Sequence, residues 1–338
     1  MKLNERMHFV DMARGIGILL VIFGHCMTQT NVIVRWQCSF FMALFFVCSG
    51  ICYRHVTPFK RSAKKLLIPF YFWGGVGLAF SVLISLAEHN FSLKAFGKQV
   101  VELLFGIATW NYPLWFLTAF FVSKVLFDFV VFFGTKKNIR YLKLIVCPIL
   151  IIIGFVLGYF RNKYRFFFPF RFDVGLVMII FMLGGYYLQK PIDTVSKQKW
   201  WARWGTLAAA LCVNLITCFK NSLVSVNSSE YGNPVLFVLS SFSGSVFVLL
   251  LCMELQKIGV IQKVLSWFGI NSMTLMCTHV FVLLFAAKGM LLLTSHIPVG
   301  IRIRDMVTYI IAVPTCCVLC MVIEKIRCFM KSKRKNKA

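Results

Sequence analysis

Ten apolar stretches, each close to the length of a membrane-spanning helix, constrain the fold of this chain more than any other feature. The hydrocarbon core of a bilayer is about 30 Å thick, so an α-helix needs about 20 apolar residues to cross it. The stretches lie at 9–27, 36–53, 66–87, 113–133, 142–159, 172–188, 204–219, 234–255, 268–293 and 306–323. The seventh is the weakest, because it is short and contains Asn214. The sequence therefore predicts an all-α polytopic membrane protein with about ten transmembrane helices.

Composition and charge support this class. Of the 338 residues, 59% are hydrophobic and only 14% are charged, which is not typical of a soluble protein. A net charge of +26 would indicate nucleic-acid binding in a soluble chain. Here the basic residues lie mostly in short loops, so we expect attraction to anionic lipid and no nucleic-acid partner. The thirteen cysteines are scattered through apolar runs, which predicts buried thiols, no disulfide framework and no metal site.

The distribution of basic residues predicts the topology. Most of the 37 lysine and arginine residues fall in alternate connections, at 2–6, 54–65, 136–143, 190–203, 257–263 and 325–337. By the positive-inside rule, both termini should be cytoplasmic. The loop 160–171 is an exception, since it carries four basic residues on the other side. Either that loop is functional, or the helix count is wrong by a pair.

No extramembrane stretch is long enough for a second domain, so residues 1–338 are expected to form a single integral-membrane domain. The segment 88–109 is mixed in character and is predicted to be a loop with an amphipathic helix at Leu93–Gly106. The chain is expected to end in a basic cytoplasmic tail at about 325–338.

The first stretch, from His8 to Thr30, carries three ionisable residues that a lipid-facing helix should not have: Asp11, Arg14 and His25. On an α-helix, Arg14 and His25 differ by roughly 20° around the axis and lie about 16 Å apart along it. Asp11 lies roughly 40° from His25 on the other side. The three residues therefore form one stripe through the membrane. Ionisable residues within a membrane usually face the protein interior and mark a functional path.

Two simpler interpretations of this stretch exist. Asp11 and Arg14 could pair at the membrane surface while His25 is a hydrogen-bonded core residue. A secretory signal peptide would also have a short apolar core, but Asp11 and Arg14 interrupt this one and no A-x-A-like cleavage site follows. The signal peptide is therefore rejected, and the surface pair stays open.

Other polar residues also allow more than one interpretation. Lys124 and Asp128 lie four residues apart and are expected to form a structural ion pair. His279 either belongs to a site or is a helix-packing histidine bonded to a neighbour. A basic run after the second span is either a topology anchor or a binding site for a phosphate-bearing ligand. It comprises Lys60, Arg61, Lys64 and Lys65.

Six segments stand in order along nearly the whole chain: FVDMARGIGILLVIFGH (9–25), FFMALFFVCSG (40–50), KRSAKKLLIPFYFW (60–73), PLWFL (113–117), EYGNPVLF (230–237) and FGINSMTLMCTH (268–279). Together they resemble acyltransferase family 3, the integral-membrane enzymes that O-acylate sugars of bacterial surface and secreted glycans. The first segment is similar to the family signature, in which an Arg is followed after ten residues by a His. The second resembles the next motif, with Ala43 where proline is usual. EYGNPVLF resembles the fucose 4-O-acetylase-like branch in particular.

The resemblance implies about ten helices, acyl-CoA as donor, His25 as the catalytic residue and Arg14 as a residue that holds CoA. A neutral imidazole can take the proton of a sugar hydroxyl as it attacks the thioester. An acetyl-His25 intermediate is the alternative. Asp11 could position Arg14, whose planar guanidinium suits phosphate, and the basic run at Lys60, Arg61, Lys64 and Lys65 could hold CoA phosphates. Sugar recognition is assigned to Trp115, Asn271 and His279, although Trp115 could instead belong to an interfacial aromatic belt.

The predicted function is a membrane O-acyltransferase of the bacterial cytoplasmic membrane. It would move an acetyl or other short acyl group from cytosolic acyl-CoA to a hydroxyl of a cell-surface or exopolysaccharide sugar, or its lipid-linked precursor. Acetyl-CoA is a co-substrate here, and no bound cofactor is expected. The sequence contains no P-loop, HExxH or GxSxG motif, which argues against ATP hydrolysis and serine hydrolases. A transporter or flippase without acyl transfer is the alternative, and an inactive relative with a scaffolding role is a third possibility.

Overall fold

A computed structural model describes residues 7–27, 31–139, 141–293 and 300–335. Some sequence predictions lie outside these ranges. They concern Thr28–Thr30 at the end of the first stretch, the last three residues of the tail, and the topology residues Lys2, Arg6, Arg140 and Lys337.

The described chain is built from helices, and it contains no β-strand in the ranges given above. The helices are α1 (His8–Cys26), α2 (Val32–Cys38), α3 (Phe41–Ile51), α4 (Phe59–Ala87), α5 (Leu93–Leu104), α6 (Trp115–Lys136), α7 (Leu142–Tyr164), α8 (Phe172–Ser196), α9 (Trp200–Lys220), α10 (Pro234–Leu255), α11 (Gly259–Ile270), α12 (Ser272–Leu293) and α13 (Ile301–Lys335). With α2 and α3 counted as one segment, the described residues hold ten helices that are long and apolar enough to cross a membrane. This confirms the predicted fold class, and α5 confirms the predicted amphipathic helix.

The helices divide into an inner and an outer group. At least half of the most apolar segment is buried inside the protein in α1, α2–α3, α6, α8, α10 and α12, but only 17–22% is buried in α4, α7, α9 and α13. Helices of the second group present apolar side chains outward, as a lipid-facing helix must. The helix α1 lies in the inner group, where it contacts α3, α10, α11, α12 and α13.

Two glycines allow α1 and α11 to touch backbone to backbone. A Cβ atom at Gly15 would lie 2.1 Å from the carbonyl oxygen of Leu265, and one at Gly269 would lie 1.7 Å from the carbonyl oxygen of Asp11. Any larger residue would therefore force the two helices apart. This contact brings the start of α1, with Asp11 and Arg14, against the junction of α11 and α12.

The predicted second span is broken, because the chain leaves helical geometry at Phe40 between α2 and α3. Asn214 of α9 lies buried beside this break. Its side chain accepts a hydrogen bond from the Trp36 indole N–H at 2.6 Å, and it donates to the carbonyl of Ser240 at 2.8 Å and to Ser39 Oγ at 3.2 Å. Asn214, which weakens the apolar pattern of the seventh span, thus joins α9 to the break after α2 and to α10.

The loop 160–171, which breaks the positive-inside rule, holds part of its basic charge inside the protein. Arg161 and Arg171 are both buried, and the Phe167 ring lies against both guanidinium groups. Arg161 also forms an ion pair with buried Asp173 at 3.2 Å. The described residues hold ten membrane-length helices, the number that the sequence predicts. Two of the four basic side chains of this loop are thus held inside the protein by an ion pair and cation–π contacts, and the side of the membrane on which the loop lies stays a prediction.

We expect Asn214→Ala to lower the free energy of unfolding by about 1–2 kcal/mol, because hydrogen bonds between helices in membranes are worth up to about that much. Thermal unfolding of detergent-solubilised protein should show a lower Tm. Thr206→Ala is the matched control, since Thr206 lies on the same helix and its hydroxyl donates to the carbonyl of Ala202 within that helix. Equal Tm values for the two variants would contradict the joining role of Asn214.

Candidate active site

A cavity of about 520 Å³ lies beside the first half of α1. We call it the Arg14 cavity. Its lining includes Asp11, Arg14, Lys65, Lys124, Ser272 and Met276, which come from α1, α4, α6 and α12. Three of these six side chains are cationic and one is a carboxylate, so the cavity has an excess of positive charge.

Two cations of the Arg14 cavity, Arg14 and Lys124, lie beside carboxylates of their own helices. Asp11 precedes Arg14 by one helical turn, and its carboxylate Oδ1 lies 3.7 Å from Nη1 of the Arg14 guanidinium. The Arg14 side chain keeps 29% of its surface exposed. Lys124 pairs with Asp128, and its ammonium nitrogen lies 3.2 Å from Thr57 Oγ1 and 4.8 Å from the centre of the Tyr53 ring. The predicted Lys124–Asp128 ion pair is present, and Lys124 also faces the cavity. Such an arrangement suits a ligand with phosphate groups.

A second cavity, of about 250 Å³, lies beside the other end of α1. We call it the His25 cavity. Its lining includes His25, Tyr112, Trp115, Ser225, Asn227 and Met276. Another cavity, of about 310 Å³, is also lined by His25, together with Lys288 and Arg304 among others. His25 therefore borders two cavities.

Tyr112 and His279 hold the imidazole of His25. The Tyr112 hydroxyl oxygen lies 2.9 Å from His25 Nδ1, and the two rings meet edge to face. The ring of His279 stacks on that of His25, with centroids 5.3 Å apart and planes at 23°. The orientation of His25 is thus fixed by one residue from the segment before α6 and one from α12.

His279 has a defined tautomer. Its Nδ1 lies 3.1 Å from the carbonyl oxygen of Leu275, and a carbonyl oxygen can only accept a hydrogen bond. Nδ1 therefore carries a proton, and in the neutral ring Nε2 has a free lone pair. This Nε2 is buried and has no hydrogen-bond partner among the residues that the structure describes. A buried acceptor without a partner, stacked on an accessible histidine, is unusual for a residue that only packs helices.

Comparison of the sequence with models of protein families gives a match over nearly the whole chain. The model of the acyltransferase domain of acyltransferase family 3 matches residues 7–325. The chain belongs to acyltransferase family 3. Neither a curated protein nor a solved structure matches it. With its ten membrane-length helices, this member of the family is a multi-pass membrane acyltransferase. The fucose 4-O-acetylase-like branch stays a prediction.

The structure of this acyltransferase brings together only part of the predicted CoA-binding set. Arg14 and Lys65 both line the Arg14 cavity. All four basic residues of the run are exposed, but Lys60, Arg61 and Lys64 do not line that cavity. Around the axis of α4, Lys60 and Lys64 lie roughly 140° and 100° from Lys65, whereas Arg61 lies one turn before Lys65 on roughly the same face.

The predicted sugar-binding residues fall at two ends of the acyltransferase. Trp115 is buried and lines the His25 cavity, and His279 stacks on His25. Asn271 instead precedes α12, where its amide donates to the carbonyl of Trp267 at 2.9 Å. Its neighbours Ile270 and Ser272 line the Arg14 cavity, and Asn271 is about 12 Å from His279 along the helix direction.

A polar residue that sequence analysis missed also lines the His25 cavity of the acyltransferase. Asn227 belongs to the connection between α9 and α10, and its Oδ1 is buried without a hydrogen-bond partner in the described part of the chain. The segment EYGNPVLF begins three residues after Asn227 and is part of the family resemblance, but it does not indicate a role for Asn227 itself.

Arg161 holds the connection that carries Asn227. Its guanidinium donates to the backbone carbonyl of Asn227 at 2.7 Å and to Ser229 Oγ at 2.7 Å, and it pairs with Asp173 at 3.2 Å. Ser229 Oγ in turn donates to Asp173 at 2.6 Å. This network is buried, so it fixes the connection at the rim of the His25 cavity.

Removing Arg161 should destabilise the acyltransferase strongly. We expect Arg161→Met to lower the free energy of unfolding by about 3–5 kcal/mol, because Asp173 would remain buried without its cation. The measurement is thermal unfolding in detergent. Lys197→Met, which removes an exposed ion pair with Asp193 on α8, should leave Tm nearly unchanged. A similar small effect of both substitutions would show that the Arg161 network does not hold the connection.

Proposed function

We propose that this protein is a membrane O-acyltransferase that moves an acetyl or other short acyl group from acyl-CoA to a hydroxyl of a surface glycan or its lipid-linked precursor. The main support for this proposal is the position of two cavities along α1. A cation-lined cavity lies at Arg14, and a cavity with an accessible imidazole lies at His25. Family membership supplies the reaction class, and the two cavities supply separate places for the two substrates.

The Arg14 cavity suits the CoA donor. CoA carries several phosphate groups, and Arg14, Lys65 and Lys124 together offer charge-assisted hydrogen bonds to such groups. The basic connections cluster at this end of the bundle, which by the positive-inside rule is the cytosolic end. Acyl-CoA is made in the cytosol, so the proposed orientation puts the donor cavity on the side where the donor is available.

The His25 cavity suits a sugar. Sugars are bound through aromatic faces and polar groups that fix their hydroxyls, and this cavity offers Trp115, Tyr112, Ser225 and Asn227. Asn227 Oδ1 is an acceptor that still has no partner among the described residues. It would accept a hydrogen bond from a sugar hydroxyl next to the one that reacts.

His25 is the proposed general base. The hydroxyl oxygen of the acceptor attacks the thioester carbonyl carbon while the imidazole takes the hydroxyl proton. The carbon–sulfur bond then breaks, and the proton passes from the imidazolium to the sulfur of the leaving group. The products are an ester and CoA with a free thiol. A base that takes and returns one proton needs no other reactant.

Tyr112 would decide which nitrogen of His25 is the base. If Nδ1–H donates to the Tyr112 oxygen, Nε2 has a free lone pair and can take the proton of the acceptor. The alternative tautomer, in which Tyr112 donates to Nδ1, would place the proton on Nε2 and remove the base. The proposal therefore assigns Tyr112 the role of an acceptor from His25, which positions the base as well as orienting its ring.

The first experiment uses membranes that contain the protein, labelled acetyl-CoA and lipid-linked glycans of the host. We expect label in the glycan fraction from the wild-type protein and a loss of at least about a hundredfold with His25→Ala, because general base catalysis contributes about that much. Succinyl-CoA is the second donor to use. Mass spectrometry after incubation with the donor alone separates direct transfer from an acetyl-His25 intermediate.

His89→Asn is the matched control for His25→Ala. His89 is exposed in the turn after α4 and has a positive φ of 55°, which asparagine tolerates. Label that persists in His25→Ala membranes would overturn the role of His25. Transport of an unmodified glycan without any acylated product from either donor would instead favour the transporter alternative.

A second prediction tests the donor cavity. Lys65→Met should raise the KM for acyl-CoA by about tenfold or more, since a hydrogen bond to a charged group contributes about 1.5–3 kcal/mol. Lys64→Met is the matched control, because Lys64 is equally basic and equally exposed but does not line the cavity. Steady-state kinetics over a range of donor concentrations gives both constants. An equal rise for both variants would indicate a general effect of surface charge and not binding in the cavity.

A further inference from the structure

Met276 is the one residue, among those described, that lines both the Arg14 cavity and the His25 cavity. It lies on α12, one turn before His279, and only 5% of its surface is exposed. The two cavities therefore meet at the side chain of Met276, and nothing else in their linings is shared.

Around Met276, the two cavities are separated by a single layer of side chains, which we call the wall. On α3, Met42 lines the His25 cavity and Phe45, one turn later, lines the Arg14 cavity. On α6, Trp115 lines the His25 cavity and the next residue, Phe116, lines the Arg14 cavity. Phe45 and Phe116 contact each other edge to face, with centroids 5.4 Å apart. Neighbouring side chains of three helices thus divide the space into two cavities.

The proposed reaction has to cross this wall. Arg14 and His25 are about 16 Å apart along α1, but the reacting carbon and oxygen must approach within about 3–3.5 Å. An acyl group attached to CoA in the Arg14 cavity must therefore pass into the His25 cavity. The same is required for direct transfer and for an acetyl-His25 intermediate, so the choice between these mechanisms does not change the requirement.

We propose that Met276 is the gate between the two cavities, that rotation of its side chain admits the acyl end of the donor to His25, and that its size limits the length of the acyl chain that is transferred. This inference rests on the proposed function, and it adds a residue that determines passage and acyl-chain specificity.

The chemistry of the wall favours Met276 as the moving part. A methionine side chain is unbranched and has three rotatable bonds, so it changes conformation at little cost. Phe45 and Phe116 hold each other by ring contact, and Trp115 contacts Phe116 with centroids 6.2 Å apart. The unpartnered Nε2 of His279 lies one turn beyond Met276, where a polar group that entered through the gate would find an acceptor.

The test compares acetyl-CoA with butyryl-CoA. In Met276→Ala the gate is shortened, so we expect the ratio of kcat/KM for butyryl over acetyl transfer to rise by about tenfold or more, since one or two methylenes in a tight pocket have effects of that size. In Met276→Phe the bulky, stiffer ring should lower kcat for acetyl transfer by at least about tenfold. Binding of labelled CoA, measured by equilibrium dialysis, should stay within about twofold of wild type in both variants.

Another methionine of the same helix provides a matched control. Met273 lines the Arg14 cavity but not the His25 cavity, so alanine there enlarges one cavity without opening the wall. The butyryl-to-acetyl ratio should stay within about twofold of wild type in Met273→Ala. An equal rise in both alanine variants would overturn the gate, and so would Met276→Phe protein that binds CoA and still transfers acetyl at the wild-type rate.

The same experiment separates the gate from the proposed function. Wild-type protein that transfers acetyl while the Met276 variants keep its selectivity would overturn the gate and leave the acyltransferase function intact. Wild-type protein that neither binds CoA nor transfers an acyl group would overturn both. A fall in CoA binding in step with kcat in Met276→Phe would show a damaged donor cavity and would also count against the gate.

Discussion

The backbone contact between α1 and α11 is the constraint on which the rest of the structure depends. Lipid chains are as apolar as the side chains of helices, so helices associate in a membrane through close packing and polar contacts. Gly15 and Gly269 permit that packing, since a Cβ atom at either position would overlap a backbone oxygen of the other helix. The contact draws α1 into the bundle interior and brings α12, which follows α11, alongside it. Both proposed substrate cavities consequently lie along α1 and α12.

The ionisable residues within this chain are of two kinds. Some are buried and paired inside the protein, and others border cavities, where we propose that they take part in the reaction. Arg161 and Asp173 are buried, and both bond to each other and to Ser229, so they have a structural role. Arg14 and His25 instead remain accessible to cavities. A charge in a membrane protein is costly unless it is paired or hydrated, and the ionisable groups that border cavities are therefore the ones available to a ligand.

Helix periodicity explains how much of the candidate site could be predicted. Arg14 and His25 share a stripe because both lie on one helix, and the 3.6-residue period fixes their relation without any tertiary information. Lys65 was predicted as one of four basic residues, but the sequence did not distinguish it from Lys64. Tyr112, Asn227 and Met276 were not assigned these roles, because each meets His25 or a cavity only after distant segments pack together. Tyr112, for example, is 87 residues from His25 in the chain.

The sequence by itself determined the ten membrane-length helices, the family and the Arg14–His25 stripe, because hydropathy, motif order and helical period are local properties of the chain. The tertiary structure alone decided that the second span breaks at Phe40, that Asn214 joins α9 to its neighbours, and that His279 stacks on His25. It also decided that Met276 separates two cavities. These features depend on which helices touch, and side-chain fit between helices, unlike hydropathy, is a property of pairs of segments far apart in the sequence.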